Sequence, residues 1–287
     1  MAKTLRPFLD LLPFHLDQRF AGPALRRLRI KHRRKAPKAT VLAIPRQARR
    51  MYVDLAVISR HDAGTGIQRV VRALALALAE TPGERWDVRF VAGDRRHPYH
   101  VISWPYRVEA IDRTPIVAQP GDVFIGLDFS LDTVRFHRRQ LSHFRRAGGS
   151  LWFLVCDLLP AERPEWFSAN NVLRYKAWLE IIAGIADGFL CISQQTEGDL
   201  RRVLAERFGL EEGYATRIVP MGHAILDSML QEAAAAAPPT SRFDMTQPFS
   251  LMVGTLEPRK GHADVIAAFS ELWLQGSQHR LVLVGRM

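Results

Sequence analysis

Two adjacent cations, Arg259 and Lys260, stand in a turn between an apolar run and a helix-like segment. The run over residues 250–254 has the composition of a buried strand, and the apolar residues after the turn recur at helical spacing. A second apolar run over 281–285 completes a strand–helix–strand unit. Open α/β sheets bind ligands at the carboxyl ends of their strands, and helix starts hold phosphate groups, so the pair indicates an anion site. A solvated turn of an ordinary βαβ unit is the alternative.

A second candidate anion site is the small-residue turn Gly64, Thr65 and Gly66, between the first predicted strand and a helix. Small residues let a ligand approach the backbone, and a helix start presents free N–H groups and the positive end of its dipole. The turn also begins like the dinucleotide motif G-x-G-x-x-G. Arg69 stands at the third glycine position, however, where a large side chain obstructs helix–strand packing. A phosphate-facing loop is therefore favoured over nicotinamide chemistry, and a tight turn without ligand is the alternative.

Polar side chains follow several of the predicted strands. Asp157 comes directly after the apolar run 151–156, and a carboxylate at the end of a central strand points into the ligand cleft of such a sheet. It is the candidate catalytic residue, with capping of the next helix or turn as the alternative. Asp128 is a weaker candidate of the same kind. Ser193 fits a helix cap better than a catalyst, and His223 is expected to be structural.

The elements that position these residues alternate between strands and helices from residue 51 onward, which predicts a parallel, doubly wound, Rossmann-like α/β sheet. The predicted strands are 52–58, 88–91, 123–126, 151–155, 189–192 and 217–219, and the predicted helices are 66–80, 131–146, 169–186 and 195–208. We expect the first domain over 51–231, an Ala- and Pro-rich linker over 232–248, and an incomplete second Rossmann-like domain over 249–287.

The charge of the chain is uneven. Residues 1–50 hold 14 Lys or Arg against two acids, whereas the rest of the chain holds 26 against 27, so the net charge of +11 belongs to an N-terminal arm. Apolar residues followed by a basic cluster fit an anionic membrane surface, with a solvated leader as the alternative. Nucleic acid is disfavoured, because no zinc-finger, RNP or helix-turn-helix spacing is present. The cluster comprises Arg26, Arg27, Arg29, Lys31, Arg33, Arg34, Lys35 and Lys38.

Other classes of protein are excluded by simple patterns. No apolar run approaches the ~20 residues of a membrane-spanning helix, and the N-terminus lacks a signal-peptide pattern. A cytoplasmic location, peripheral on the inner face of the membrane, is expected. Cys156 and Cys191 lie in apolar runs and are expected to be buried thiols rather than a disulfide. No cluster has metal-ligand spacing, so we expect neither a metal nor another cofactor.

The two motifs, in this order, resemble those of a known family. Residues 65–72 read TGIQRVVR and residues 253–261 read VGTLEPRKG. Both are similar to segments of the retaining GT-B glycosyltransferases of group 1, the two-Rossmann-domain type, and in particular to enzymes of bacterial surface polysaccharides. The resemblance covers about residues 51–287. It implies that Gly64, Thr65, Gly66, Arg259 and Lys260 face the donor diphosphate and that Asp157 orients or deprotonates the acceptor.

The resemblance also implies a reaction. A hexose would move from a nucleoside diphosphate sugar to a lipid-linked or oligosaccharide acceptor with retention, without a metal, because cations and helix ends stabilise the leaving diphosphate. In the family a pair of glutamates later in the second domain binds the sugar and the ribose, and the chain ends at Met287 before that region. We therefore expect a C-terminally truncated chain with little activity of its own. The alternative is an inactive fragment that binds an acceptor or a partner.

Overall fold

The computed structural model of this protein describes residues 21–35, 48–81, 83, 85–105, 112–221 and 247–285. Two compact units divide the chain: the first contains Met1–Glu162 and Ala169–Ile225, and the second contains Arg163–Ser168 and Leu226–Met287. The predicted boundaries of the first domain at 51 and 231 stay predictions. His223 and all but the last two residues of the predicted linker 232–248 lie outside the described residues.

The first unit is built on a seven-stranded sheet. Its strands are β1 Arg49–Asp54, β2 Trp86–Ala92, β3 His100–Val101, β4 Val123–Gly126, β5 Ser150–Val155, β6 Gly188–Cys191 and β7 Ala215–Ile218. They lie in the order β3-β2-β1-β4-β5-β6-β7, and only the edge pair β2–β3 is antiparallel. The predicted α/β class with a largely parallel, doubly wound sheet is confirmed.

Helices cover both faces of this sheet. They are α1 Pro23–Arg34, α2 Gly66–Glu80, α3 Leu131–Phe136, α4 Arg138–Arg146, α5 Leu159–Glu162, α6 Ala169–Ile185 and α7 Gln194–Phe208. Adjacent residues of β1 point to opposite sides: Tyr52 joins a core with Trp178 of α6, whereas Val53 joins a core with Val71 of α2. Because consecutive side chains of a strand alternate, both faces of the sheet need an apolar cover.

Two predicted elements differ from the structure. The first strand ends at Asp54 rather than continuing to residue 58. The apolar residues that follow it form a turn and stay buried. The predicted helix 131–146 is two helices, α3 and α4, which meet at His137. The His137 ring nitrogen Nε2 lies 2.5 Å from the carbonyl oxygen of Asp94. The residues that are buried without being strand are Leu55, Ala56 and Ile58.

Part of the predicted N-terminal arm is a helix of the folded unit. Pro23 occupies the first turn of α1, where its missing N–H costs nothing. Ile30 is 2% exposed, and Arg29 pairs with the buried carboxylate of Glu180, with 3.6 Å between Nη1 and Oε1. The prediction of an arm outside the folded domains therefore does not describe α1, which packs on α6 and α7.

Arginine side chains explain how so basic a helix packs on the fold. The last four carbonyl groups of a helix have no partner within it. Arg34 donates to the carbonyl oxygens of Ala183 and Ala186 at the end of α6, at 2.8 and 3.1 Å. Arg27 donates to the carbonyl oxygen of Glu206 near the end of α7, at 3.0 Å. The cations thus meet the negative ends of two helix dipoles.

The second unit has the predicted strand–helix–strand order. Its elements are the 3-10 turn Pro164–Trp166, β8 Phe249–Val253, the 3-10 turn Pro258–Lys260, α8 His262–Leu274 and β9 Arg280–Val284. The two strands pair in parallel from Phe249↔Arg280 to Val253↔Val284. Parallel pairing across a helix is the geometry of a βαβ unit, as expected from the apolar periodicity.

Candidate functional site

The sheet of the first unit has a topological switch point between β1 and β4. From β1 the chain adds β2 and β3 on one side, and it then returns to build β4 to β7 on the other. In open α/β sheets the crevice at the carboxyl ends of the strands beside such a point is the usual ligand site. The loop with Gly64, Thr65 and Gly66 follows β1, and Asp128 follows β4. Both segments therefore border this crevice.

The glycine loop is held in shape by its own side chains. Thr65 caps α2 by accepting the N–H of Gln68, and Gln68 Oε1 accepts the N–H groups of Ala63 at 2.9 Å and Thr65 at 3.2 Å. Gly64 has a φ of +65°, which a residue without a side chain adopts at no steric cost. This reciprocal capping box fixes where the first free N–H groups of α2 point.

The first two N–H groups of α2, on Gly66 and Ile67, have no hydrogen-bond acceptor in the described part of the chain. Arg69, which occupies the third glycine position of the dinucleotide motif, is exposed and donates to the carbonyl oxygen of Gly64 at 3.2 Å. Arg72 forms an ion pair with Asp62 at the other end of the same loop. The loop thus combines two free N–H groups with nearby guanidinium groups, which suits an anion.

The Asp128 carboxylate binds backbone N–H groups, which indicates a structural rather than a catalytic role. Its carboxylate is 5% exposed, and its Oδ2 accepts the N–H groups of Val57 at 2.6 Å and Ile58 at 2.8 Å. Burial raises the pKa of Asp128 above its ordinary value, although the backbone hydrogen bonds oppose this. Since these contacts are to the loop after β1, the structure gives this carboxylate a role in loop geometry.

Sequence reasoning missed Asp54, the last residue of β1. It is fully buried and accepts hydrogen bonds from the Ala56 N–H at 2.8 Å, the Tyr99 hydroxyl at 2.9 Å and the Ser130 hydroxyl at 2.5 Å. Burial, followed by the charge of Asp128, raises its pKa from 3.8 to about 7. The available signal was an acid inside the apolar run from Val53 onward, a position that costs free energy unless it is satisfied.

Asp157 follows the carboxyl end of β5, which pairs with β4 in parallel. It therefore lies on the same side of the sheet as the residues that follow β4. It is half-buried, and its Oδ1 accepts the Leu159 N–H at 3.1 Å at the start of α5, as the capping alternative predicts. The hydroxyl of Tyr175 donates to the Asp157 carbonyl at 2.7 Å and fixes its backbone. Next to it, burial raises the pKa of Cys156 to about 12, so this thiol is not a thiolate nucleophile at neutral pH.

The remaining polar candidates have structural places. Ser193 caps α7 by accepting the N–H of Thr196 at 3.1 Å, which confirms the predicted helix cap. Both cysteines are free thiols; Cys191 is buried as predicted, whereas Cys156 is only half-buried. In the described ranges, no three His, Cys, Asp or Glu side chains lie together as a metal site would require.

Arg259 and Lys260 lie in the second unit, in the 3-10 turn between β8 and α8. Gly261 follows with a φ of +71° and is the N-cap of α8, so both cations precede a helix start. Both residues are exposed, and the Arg259 Nε donates to the Glu257 carboxylate at 2.5 Å. The turn therefore stands at a strand end and a helix start, as the sequence predicts.

No family model matches the chain. A serotype-specific mannosyltransferase WbdA from Escherichia coli is 32% identical over 254 residues, which are 84% of this chain and 30% of that protein. Two further E. coli sequences of the same name are 32% identical over 251 and 254 residues. The chain belongs to this family of bacterial polysaccharide glycosyltransferases. It spans about 30% of the length of these relatives.

Proposed function

We propose that this chain supplies the acceptor-side domain and the start of the donor-binding domain of a hexosyltransferase in bacterial polysaccharide synthesis. The observation that carries the proposal is the similarity to mannosyltransferases over 84% of the chain. The positions of the two candidate anion-binding segments support it, because each lies at a helix start within a strand-to-helix connection. The donor in this proposal is a nucleoside diphosphate sugar, and the acceptor is a lipid-linked glycan or an oligosaccharide.

In the proposed reaction the diphosphate is the leaving group, and its developing negative charge is what the protein must stabilise. Arg259 and Lys260 supply fixed cations, and the N–H groups of Gly66 and Ile67 supply donors that have no acceptor in the described part of the chain. Such preorganised groups need no reorganisation during the reaction, which makes them effective in a transition state. A metal is not part of this proposal, since the cations take over its role.

Asp157 is the proposed acceptor-side residue. Its carboxylate stands at the carboxyl edge of the sheet, and its backbone is fixed by the hydroxyl of Tyr175. A carboxylate in this place can accept a hydrogen bond from the attacking hydroxyl group and assist its deprotonation. The proposal includes retention of configuration, with attack on the same face of the sugar from which the diphosphate leaves.

Replacing Arg259 and Lys260 by Ala is expected to weaken the binding of nucleoside diphosphates. Charge-assisted hydrogen bonds contribute about 1.5–3 kcal/mol each, so each variant should lose about one to two decades of affinity. Titration calorimetry of the full 287-residue chain with ADP, GDP, UDP and CDP measures this loss. Arg280→Ala is the matched control, because it removes a cation from the amino end of β9, at the other edge of the same small sheet.

The control variant should bind the same diphosphate with unchanged affinity. Equal affinities of the wild type and both turn variants would contradict the assignment of the donor site. A second assay offers nucleotide sugars together with lipid-linked glycans and follows the release of diphosphate. Because little activity of this chain alone is expected, the informative result is release that depends on the acceptor, which would favour a transferase over an inactive binding module.

We also infer that the exposed face of α1 contacts anionic lipid. Within the described ranges, no helix has the length and apolar content that crossing a bilayer requires. Several cations of the basic cluster are used inside the fold, whereas Lys31 and Lys35 are exposed. Arg27, which donates to the Glu206 carbonyl, and Leu28 are also exposed, Leu28 at 54%. These four lie on one side of the helix, since residues three and four apart are neighbours. Such a face suits attraction to negative headgroups.

The double variant Lys31→Glu/Lys35→Glu should bind phosphatidylglycerol vesicles at least ten-fold more weakly than the wild type. Each cation near an anionic surface contributes about 1 kcal/mol, and each reversal also adds repulsion. Arg95→Glu/Arg96→Glu is the control with the same net charge, since both residues are exposed in the segment between β2 and β3. Vesicle sedimentation at rising salt concentration measures the effect. Equal weakening by the two variants would show that net charge, not this face, directs binding.

A further inference from the structure

Two buried carboxylates stand at the carboxyl ends of the neighbouring strands β1 and β4. Asp54 is 0% exposed and Asp128 is 5% exposed. The N–H of Asp128 donates to the carbonyl oxygen of Asp54 at 3.3 Å, which ties the two strand ends together. Burying two neighbouring acids away from water costs free energy, and folded proteins tolerate such groups where hydrogen bonds satisfy them. The proposed function leaves both without a chemical step.

The oxygen atoms of this pair hold the backbone of the loop after β1. Asp54 Oδ1 accepts the N–H of Ala56, and Asp128 Oδ2 accepts those of Val57 and Ile58. Three consecutive N–H groups are therefore fixed by two side chains. Carboxylates that accept backbone N–H bonds form shorter and stronger hydrogen bonds than neutral groups do. The loop leaves β1 in a direction set by these two residues.

Hydrogen bonds continue from this point to the start of α2. The carbonyl oxygen of Val57 accepts the N–H groups of Arg60 and His61. The carbonyl oxygen of His61 accepts the Gln68 side-chain amide at 2.8 Å, and Gln68 in turn holds Ala63 and Thr65. An unbroken chain of contacts thus leads from Asp128 to the capping box that sets the free N–H groups of α2.

We propose that Asp128 and Asp54 are positioning residues that set the geometry of the phosphate-facing start of α2. This inference rests on the proposed function, since it takes that helix start to face the donor. Among the described residues, the hydroxyl groups of Tyr99 and Ser130 face Asp54. The guanidinium of Arg60 donates to the Ala56 carbonyl, and its positive charge favours the ionised form of Asp128. Ionisation of Asp54 beside Asp128 therefore disfavours this arrangement of the loop after β1, and protonation of Asp54 favours it.

Asp128→Asn tests the coupling in the 287-residue chain. Both oxygens of Asp128 accept backbone N–H groups, Oδ2 those of Val57 and Ile58 and Oδ1 that of Phe129. An amide keeps one acceptor oxygen but turns the other into a donor, so it cannot satisfy both sets. Residue-resolved hydrogen exchange should become at least ten-fold faster at Val57 and Ile58. It should also accelerate at Ala63 and Thr65, which Asp128 does not touch. Protection that changes at 57 and 58 but not at 63 and 65 would overturn the proposal.

Asp122→Asn is the matched control, because Asp122 is a buried carboxylate just before the amino end of the same strand. It is 2% exposed and accepts the N–H groups of Arg50 at 3.0 Å and Gln119 at 2.9 Å. Exchange should accelerate at 50 and 119 and stay unchanged at 63 and 65. Faster exchange throughout the sheet in both variants would show general destabilisation and overturn a specific positioning role.

A pH series adds a readout that a purely structural contact does not give. After correction for base catalysis of exchange, protection at Ala63 and Thr65 in the wild type should fall as the pH rises from 3.8 to about 7 and then level off. Asp54→Asn cannot ionise and should lack this step. An identical step in the variant would contradict the role of Asp54.

Calorimetry with ADP, GDP, UDP and CDP on the same variants separates this inference from the proposed function. If the wild type binds a diphosphate, Asp128→Asn should bind it at least ten-fold more weakly, and Asp122→Asn should bind it equally. Equal affinity of Asp128→Asn would overturn the positioning role. If the wild type binds none of the four, the donor function fails and the phosphate role fails with it. The exchange data would still decide whether the loop depends on Asp128.

Discussion

Asp54→Asn should raise the free energy of unfolding of the first unit at pH 8 by up to about 4 kcal/mol and leave it nearly unchanged at pH 4. The reason is the pKa of Asp54, which burial and the charge of Asp128 raise from 3.8 to about 7. Below pH 3.8 the folded and unfolded chains both hold this proton. Between 3.8 and about 7 only the folded chain holds it, so each step upward favours unfolding. Above about 7 both states have lost the proton and the dependence ends.

The difference between wild type and variant isolates this group from the other titrations. Glu197, whose pKa is lowered by a hydrogen bond from Thr216 and by Arg201, gives the opposite dependence on pH in both proteins. Urea unfolding followed by circular dichroism from pH 4 to pH 8 provides the two curves. The introduced amide can still accept the Ala56 N–H and can donate to Tyr99 and Ser130, so it imitates the protonated acid. Parallel curves would contradict an ionisation of Asp54 in this range.

The course of β1 shows what the sequence pattern could and could not reveal. The apolar run over 52–58 predicts a strand, and all but one of its residues after 54 are buried in the structure. Periodicity reports burial, and a buried turn has the same pattern as a buried strand. The N–H of Leu55 still donates to Val91 of β2, and the run leaves the sheet after it. From Ala56 to Ile58 the carboxylates of Asp54 and Asp128 take over the hydrogen bonds that a neighbouring strand would provide. That exchange depends on a contact between residues far apart in sequence.

The helix after this turn was predictable to the residue. Thr65 and Gln68 form a capping box, whose spacing is visible in the sequence, and the apolar stripe of α2 follows it directly. The turn with Arg259 and Lys260 was predictable for the same reason, since a glycine and a helical period follow it. Local chemistry decides both. The switch point beside β1 was not predictable, because strand order is a long-range property of the fold.

The helix α1 was hidden by its composition. Six of its twelve residues are arginine or lysine and none is acidic, and a run of cations without acids is typical of a solvated arm. The partners of these cations lie far along the chain: Glu180 in the middle of α6, and carbonyl groups at the ends of α6 and α7. An acid within an apolar helix was the one local signal. A buried acid such as Glu180 indicates that a cation from elsewhere in the chain must pair with it.

Arg29→Ala should destabilise the first unit by about 3–5 kcal/mol, because removing one partner of a buried ion pair leaves the other charge uncompensated. Arg29 is 4% exposed and Glu180 is 3% exposed, with 3.6 Å between Nη1 and Oε1. Arg26 lies 3.9 Å from the second oxygen and is partly exposed, so it offsets only part of the loss. Lys31→Ala, on the exposed side of the same helix, is the control and should cost less than about 1 kcal/mol.

The double variant Arg29→Met/Glu180→Met separates the charge from the docking of the helix. It removes both charges and fills the space with apolar side chains, and such replacements are often neutral or stabilising. If the ion pair itself is the source of the loss, the double variant should unfold at nearly the wild-type urea concentration. Limited proteolysis should then cut within α1 in Arg29→Ala but not in the double variant. A loss below about 1 kcal/mol for Arg29→Ala, with α1 still protected, would show that the cation is not needed to hold α1 on α6.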